Sequence, residues 1–181
     1  MNWFTSDTHF GHNGIINYCN RPFSSVEEMN NELIRRWNVC VLPEDTVYHL
    51  GDFSFCGLIK TREILSQLNG KIVLIKGNHD KHFFRKNGEL KNDLKFTNTQ
   101  LSMEIEIQKT PIMLSHYQYK GYNDIEGRDF SQVQIDNKGF YLLHGHVHCG
   151  WKTKDHMINV GVDVWNYTPV SEQEIMELIN G

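Results

Sequence analysis

The sequence has few features of a secreted, membrane-spanning or fibrous protein. Its 181 residues include only 4 prolines and 4 cysteines, and the cysteines are too widely spaced for a Cys-x-x-Cys zinc motif or a small disulfide framework. No apolar run approaches the roughly 18 residues that a membrane span requires. Residues 1–7 lack the cationic and apolar regions of a cleaved signal peptide. We therefore expect reduced thiols, a cytoplasmic location and no membrane partner.

An excess of basic residues is also missing. The chain has 18 Lys and Arg against 22 Asp and Glu, which gives a formal net charge of −4. Dedicated nucleic-acid-binding proteins normally carry a basic face, so the composition argues against that class, although bound divalent cations would reverse the charge locally. The length and the 39% of hydrophobic residues are typical of one globular domain. We expect residues 1–181 to form that single domain.

The alternation of apolar and polar residues predicts an α/β protein. In the first half, three strands alternate with two helices, a pattern that favours parallel strands joined by right-handed crossovers. In the second half, residues 101–114 have the pattern of an antiparallel hairpin. A last helix begins at Ser171, with Glu174 completing a capping box. The predicted strands cover about 3–6, 46–50, 71–76, 101–107, 112–114, 140–143 and 158–164, and the predicted earlier helices cover 25–39 and 60–68.

Polar clusters follow five of these strands, and they contain many of the ten histidines. Sites in open α/β sheets form beyond the carboxyl ends of strands, so the clusters can converge. Their carboxylate, amide and imidazole groups suit manganese, iron, zinc, nickel or cobalt, and they are too many for one tetrahedral ion. Two ions about 3.5 to 4 Å apart, with one shared ligand, would use them all. The candidate metal ligands are Asp7, His9, Asp52, Asn78, His116, His146 and His148.

In this order, the clusters resemble the signature blocks of calcineurin-like metallophosphoesterases. These blocks are Asp7-x-His9, Gly51-Asp52, Gly77-Asn78-His79-Asp80, His116 and Gly145-His146-x-His148. The resemblance implies a four-layer αββα sandwich with two mixed β-sheets and a dinuclear site at their carboxyl edge. It further implies two divalent ions, with manganese expected and iron, zinc, nickel or cobalt as alternatives. One ion would be held by Asp7, His9, Asp52 and His148, and the other by Asp52, Asn78, His116 and His146.

The same resemblance implies hydrolysis of phosphoesters by attack of a metal-bridging hydroxide on phosphorus. His79 matches the family's non-ligand histidine, which would assist the leaving group. Asp80 would accept the other ring proton of His79, or else cap the turn that follows it. Phe53 to Cys56 replace the stretch that serine/threonine protein phosphatases have after Gly-Asp, so that activity is disfavoured.

Four further residues are candidates for substrate contacts. Arg21 could clamp a phosphate or pack its loop against the domain, and His12 could contact a substrate oxygen or cap a helix. Tyr117 and Arg128 belong to an aromatic segment before Phe140 that could bind a nucleobase or be a solvated flap. The leading hypothesis is a phosphodiesterase or phosphatase for small nucleotide-like esters. The alternatives are a nuclease for single-stranded DNA or RNA, or a non-catalytic metal-filled binding scaffold.

Overall fold

Ten short strands form two five-stranded sheets in a computed structural model that describes residues 1–91 and 94–181. The strands are β1 (Asn2–Thr5), β2 (Thr46–His49), β3 (Lys71–Ile75), β4 (Asn98–Gln100), β5 (Ser102–Ile107), β6 (Thr110–Ser115), β7 (Tyr141–His144), β8 (Thr153–Lys154), β9 (Met157–Asn159) and β10 (Val170–Ser171). The helices are α1 (Asn13–Tyr18), α2 (Val26–Cys40), α3 (Leu58–Leu65) and α4 (Glu172–Asn180), with 3-10 turns at Asp80–Phe83 and Val162–Val164.

Both sheets are mixed, as the sequence predicted. The first has the order β10-β1-β2-β3-β4, with β10 antiparallel and the other neighbours parallel. The second has the order β5-β6-β7-β9-β8, in which β5 and β8 are antiparallel to their neighbours. The predicted hairpin is β5 and β6, with Ile105 opposite Ile112. The predicted α/β class with two mixed sheets is therefore confirmed.

Apolar side chains define the order of the layers. Leu33 and Trp37 of α2 and Ile64 of α3 pack in one core with Val47 and Leu74 of the first sheet. A second core lies between the sheets, and its buried members include Phe4, Leu50, Leu114, Leu143 and, from α4, Ile175. On the far side of the second sheet, Leu142 and Met157 pack against Tyr119 and Trp151, which belong to connecting segments. The layers are thus helices, two sheets and an outer layer of connecting chain.

The helix starts follow local rules that the sequence reveals. The Ser25 hydroxyl accepts a hydrogen bond of 3.1 Å from the Glu28 amide, which caps α2. At α4, the Ser171 side chain accepts from the Glu174 amide at 3.2 Å, and Glu174 accepts from the Ser171 amide at 2.9 Å, so the predicted capping box is confirmed. The longest helix has 15 residues, and no helix in the described part of the chain combines the length and apolar character needed to cross a bilayer.

Several boundaries differ from the sequence-based expectation. The strand predicted over 158–164 ends at Asn159, and a 3-10 turn follows at Val162–Val164. The helix predicted over 60–68 runs from Leu58 to Leu65. The sequence did not predict α1, β4, β8 and β10, which have only two to six residues and are too short for a periodic pattern to show.

The core between the sheets should dominate stability. We expect Leu114→Ala to lower the free energy of unfolding by about 2 to 5 kcal/mol, because a fully buried leucine leaves a cavity when it is truncated. The control Ile59→Ala, at a side chain that is 72% exposed, should change it by about 0.5 kcal/mol or less. Urea denaturation followed by circular dichroism measures both. Equal losses in the two variants would contradict this assignment of the core.

Candidate metal centre

The carboxyl ends of strands from both sheets meet at one edge of the molecule. After β1, the Asp7 amide donates to the Gly51 carbonyl at 3.0 Å, and the His9 amide donates to the Asp52 carbonyl at 3.1 Å. After β7, the His146 amide donates to Asp7 Oδ2 at 3.0 Å, which joins the two sheets at this edge. The clusters that the sequence singled out are therefore brought together by backbone contacts as well as by their side chains.

The candidate ligand atoms lie close enough to share ions. Asp52 Oδ2 is 3.6 Å from His9 Nε2 and 3.6 Å from His116 Nε2. Asn78 Oδ1 is 3.0 Å from His116 Nε2. Ligand atoms of Asp7, His9 and His148 all lie within 4.8 Å of one another, and so do those of Asp7, Asp52 and His116. These Asp and His groups could hold metal ions, and Asp7 belongs to both sets.

Among the candidate ligands, three buried polar atoms have no hydrogen-bond partner in the described part of the chain. They are Asp7 Oδ1, His9 Nε2 and His146 Nε2, and the His146 ring lies 5.1 Å from that of His116 between centroids. Buried polar side-chain atoms are nearly always paired, because an unpaired one loses its hydration without compensation. Cations bound at this edge would give each of the three atoms a partner, so the residues present fit divalent metal ions.

Five of the seven candidate ligands have a left-handed backbone. The φ angles are 56° at Asp7, 50° at His9, 55° at Asp52, 69° at His146 and 46° at His148. This conformation is uncommon outside glycine and costs on the order of 1 to 3 kcal/mol per residue. Such strain persists only where the surrounding structure imposes it. Here the left-handed residues lie in tight turns that direct their side chains into one site.

Burial and nearby charges set the protonation of the site. Burial lowers the pKa of His9 and of His146 to about 3, so both imidazoles are neutral and keep a lone pair at neutral pH. For His148, burial opposes the charged form, but the Asp7 carboxylate and a hydrogen bond with Asp163 raise the pKa to about 11. Burial raises the pKa of Asp52 to about 7. The Asp7 and Asp163 carboxylates therefore favour a positive charge at His148, whereas burial disfavours the ionised form of Asp52.

His79 stands at the exposed rim of the site. Its amide donates to Asp52 Oδ1 at 2.8 Å, and its Nε2 lies 3.9 Å from Asp52 Oδ2. The side chain is 46% exposed, and its ring centroid is 4.6 Å from that of Phe55. Burial lowers the pKa of His79 to about 4, so it is a neutral imidazole at neutral pH.

Asp80 does not serve His79 as the sequence suggested. Its buried carboxylate accepts backbone hydrogen bonds from Asp52 at 2.9 Å, Phe53 at 3.0 Å and Gly77 at 2.8 Å. These contacts fasten the turn after β2 to the turn after β3. The interpretation of Asp80 as a partner of the His79 ring is corrected accordingly: Asp80 holds the backbone that carries Asp52.

Arg21 is likewise a structural residue and does not clamp a substrate phosphate. Its buried guanidinium pairs with Asp163, from Nε to Oδ1 at 2.8 Å and from Nη2 to Oδ2 at 3.0 Å. It also donates to the carbonyls of Thr8 at 3.0 Å and Asp7 at 2.7 Å. The phosphate-clamp interpretation is therefore wrong, because the guanidinium is enclosed, and the loop-packing alternative describes its role.

Asp163 is a residue of the site that the sequence motifs did not reveal. Its Oδ2 lies 3.3 Å from His148 Nδ1, so the carboxylate orients a candidate metal ligand, and the Cys19 thiol lies in the same cluster. Asp163 was assigned to a strand interior, but it follows the end of β9 in a 3-10 turn. A carboxylate shortly after a strand, in Gly161-Val162-Asp163, was the signal that could have revealed it.

The other substrate candidates divide between two places. His12 and Arg128 line an open cavity of about 330 Å³ together with His9, His79 and His148. His12 starts α1 but makes no side-chain cap, and its ring stacks on Phe55 at 4.0 Å between centroids. Arg128 is 56% exposed and pairs with Asp124 at 2.5 Å and Glu126 at 3.0 Å. Tyr117 is instead packed behind His116 and His146, with centroid distances of 4.9 Å to each ring.

Two mixed sheets whose strand ends gather aspartates and histidines define an α/β protein with a candidate metal site, and comparison with known proteins identifies its family. The model of the calcineurin-like phosphoesterase superfamily domain matches residues 3–166. The chain belongs to that superfamily. Membership implies a hydrolase that uses divalent metal ions, and the Asp and His groups at the sheet edge could bind them.

The similar proteins span nearly the whole chain. The uncharacterized protein MJ1445 of Methanocaldococcus jannaschii is 41% identical over 186 residues, covering 98% of this chain and 90% of that protein. The Gene 66 protein of Mycobacterium phage L5 is 32% identical and covers 98% of this chain and 93% of that protein. The crystal structure of AQ665 from Aquifex aeolicus, a protein of unknown function, superposes with a TM-score of 0.75 at 30% identity and 98% coverage of both chains.

The buried ion pair behind the site leads to a stability prediction. Asp163→Ala should lower the free energy of unfolding by about 3 to 5 kcal/mol, because it leaves the Arg21 guanidinium charged and unpaired in the interior. The control Glu63→Ala removes an exposed pair with Lys60 and should cost about 1 kcal/mol or less. Urea unfolding in the presence of chelator measures both without any contribution from metal. A loss in Asp163→Ala no larger than in the control would contradict the buried pair.

A second prediction concerns Gly145, whose backbone leaves no room for a side chain beside Ser6 and Asp7. A Cβ at Gly145 would lie 2.0 Å from Ser6 Oγ and 2.3 Å from Asp7 Oδ2, so Gly145→Ala must displace the Asp7 carboxylate. We expect the affinity for manganese to fall roughly 10- to 100-fold, as for other disturbances around metal ligands. Gly57→Ala is the matched control, because nothing lies within 4 Å of the added atom. Isothermal titration calorimetry of both variants tests this, and unchanged affinity in Gly145→Ala would contradict the close packing of Gly145 against the Asp7 carboxylate.

Proposed function

We propose that this protein hydrolyses phosphoesters of nucleotide-like substrates with two divalent metal ions, manganese being the expected metal. Asp7, His9, Asp52 and His148 would hold one ion, and Asp52, Asn78, His116 and His146 would hold the other. The observation that carries the proposal is the position of Asp52 Oδ2, which lies 3.6 Å from a ring nitrogen in each set. An oxygen midway between two groups of donors is suited to bridge two ions.

The electrostatics support the same assignment. Asp7 Oδ1 and the ring nitrogens of His9 and His146 are buried without partners, although carboxylate and imidazole groups are strongly polar. The neutral state of His9 and His146 keeps their lone pairs free for a metal. Oxygen and nitrogen donors in this mixture favour transition metals over magnesium.

The residues divide the chemical work among them. When bound, two metal ions lower the pKa of water for attack on phosphorus and offset the charge of the phosphate. His79, half-exposed beside Asp52, would contact the leaving oxygen. Because burial keeps the pKa of His79 near 4, the neutral ring would stabilise that oxygen by donating a hydrogen bond. Asp80 contributes indirectly by holding the Asp52 backbone.

The cavity supports a small substrate. About 330 Å³ of open space lies over the candidate ligands, within the range of small-molecule sites. His12 and Arg128 line it, and the exposed Arg128 guanidinium could face a substrate phosphate while it stays paired with Asp124 and Glu126. Both side chains therefore remain candidates for substrate contacts, whereas Arg21 does not.

Metal depletion and one conservative substitution test the proposal. Chelator-treated protein should hydrolyse bis-p-nitrophenyl phosphate only after manganese, nickel, cobalt, iron or zinc is restored. Asp52→Asn keeps the shape of the side chain but removes its charge, and kcat/KM should fall by at least about 100-fold. Asp155→Asn is the matched control at an exposed position of the turn between β8 and β9, and it should retain full activity.

The outcomes separate the candidate functions. Full activity in folded Asp52→Asn would remove the bridging role of Asp52. Folded wild-type protein that binds metal but hydrolyses neither bis-p-nitrophenyl phosphate nor p-nitrophenyl phosphate would favour the non-catalytic metal-filled scaffold. Circular dichroism of each variant establishes that the fold is retained.

A further inference from the structure

A second cavity lies directly beside the candidate metal centre. Its volume is about 400 Å³, and Asn78 lines both this cavity and the one over the candidate ligands. Tyr117 also lines the second cavity while its ring packs against His116 and His146 at 4.9 Å. The two spaces are therefore separated by little more than one layer of side chains, so one extended ligand could occupy both.

The charges that line the two cavities differ in sign. The cavity over the candidate ligands includes the carboxylates of Asp52 and Glu126 beside Arg128. The charged residues along the second cavity are Lys76 and Lys81, although the chain as a whole has a net charge of −4. The Lys76 ammonium lies 4.2 Å from the centre of the Phe84 ring, with which it also lines a third cavity, and Lys81 is exposed. Such a cavity attracts an anion.

The remainder of the lining suits an organic group attached to that anion. Leu101 is 73% exposed and Val133 is 51% exposed, so a ligand could bury two apolar side chains there. Gln132 adds an amide group that can form hydrogen bonds with a sugar or a base, whereas the Gln134 amide nitrogen donates to the Tyr122 carbonyl at 2.6 Å and leaves its side-chain oxygen for a ligand. Lysines, apolar surface and amides together match the phosphate, sugar and base of a nucleotide unit.

We propose that the second cavity binds the nucleotide next to the scissile bond, including its own phosphate, so that the preferred substrate is a short single-stranded oligonucleotide. This inference rests on the proposed function, because it places the scissile phosphate at the metal centre. The neighbouring phosphate lies at Lys81 and Lys76, and its sugar and base contact Leu101 and Val133. Tyr117 thereby acquires a role as the wall between the metal ligands and this subsite.

Matched substrates test the subsite. The thymidine dinucleotide TpT has only the scissile phosphate, whereas pTpT and TpTp each add one terminal phosphate at a defined end. We expect at least one of the phosphorylated forms to have a kcat/KM about tenfold above that of TpT, the effect of one charge-assisted contact. Bis-p-nitrophenyl phosphate, which has no second phosphate, reports the basal chemistry of the metal centre.

A pair of lysine variants locates the effect. Lys81→Gln should lower the preference for the phosphorylated dinucleotide over TpT from about tenfold to about twofold or less. The control Lys86→Gln changes an exposed lysine of the same segment that lines neither cavity, and it should keep the full preference. No preference in the wild type, or a preference that survives in both Lys81→Gln and Lys76→Gln, would overturn the subsite.

A binding measurement keeps failure of the subsite distinct from failure of the proposed chemistry. In Asp52→Asn protein, calorimetry should show that pTpTp binds more tightly than TpT and that this difference shrinks from 50 to 200 mM salt. Lys81→Gln in that background should remove the difference. Metal-restored wild-type protein that does not hydrolyse bis-p-nitrophenyl phosphate, together with intact pTpTp binding, would reject the chemistry alone. Wild-type hydrolysis without any gain from terminal phosphates would reject the subsite alone.

Discussion

The burial of several carboxylates at one sheet edge is the constraint on which the rest of the structure depends. Asp7 and Asp80 are fully buried, Asp52 is nearly so, and the Asp163 side chain is enclosed beside Arg21. An uncompensated charge in a protein interior costs several kcal/mol, so each carboxylate needs a partner. Asp80 obtains three backbone amides, and Asp163 obtains a guanidinium. Asp7 Oδ1 has no hydrogen-bond partner among the described residues. It lies 3.8 Å from His9 Nε2, which has none there either.

Asp80 directly, and Asp163 through Arg21, hold the backbone of the candidate ligands Asp52 and Asp7. Asp80 accepts hydrogen bonds from the consecutive amides of Asp52 and Phe53, and the Arg21 paired with Asp163 donates to the carbonyls of Asp7 and Thr8. The left-handed residues of the site therefore lie in turns that are fixed from behind. The buried contacts of Asp80 and of the Arg21–Asp163 pair therefore stabilise the left-handed backbone of the candidate ligands Asp52 and Asp7.

Much of the fold could be predicted because its signals are local. The apolar period of α2, the capping box at Ser171 and the alternation along β5 and β6 each lie within one short stretch of chain. The convergence of the clusters followed from a general property of strand ends. The Arg21–Asp163 pair could not be predicted, because its members are 142 positions apart and the strand predicted over 158–164 ends at Asn159, before Asp163. The role of Asp80 was hidden as well, since backbone amides leave no pattern in a sequence.

For the aromatic segment after His116, the composition could be read from the sequence, but the packing of its side chains could not. Its composition indicated contacts with a ligand, but it contains few regular elements, so nothing in the sequence placed Tyr117 behind the histidine rings rather than over them. Only the packing of Tyr117 against His116 and His146 reveals that it separates two cavities. Composition thus singled out this segment as a candidate, while the three-dimensional structure was needed to locate its side chains.

The contact between the His146 amide and Asp7, 139 positions apart along the chain, also bears on the order of events during synthesis. A nascent chain leaving the ribosome exposes Asp7 and His9 long before His146 and His148 have been translated. The first sheet also lacks its edge strand β10 until residues 170–171 have emerged, because β10 pairs with β1. The candidate ligands can therefore come together only after His146 and His148 have been translated, so the site cannot assemble in step with its first strands.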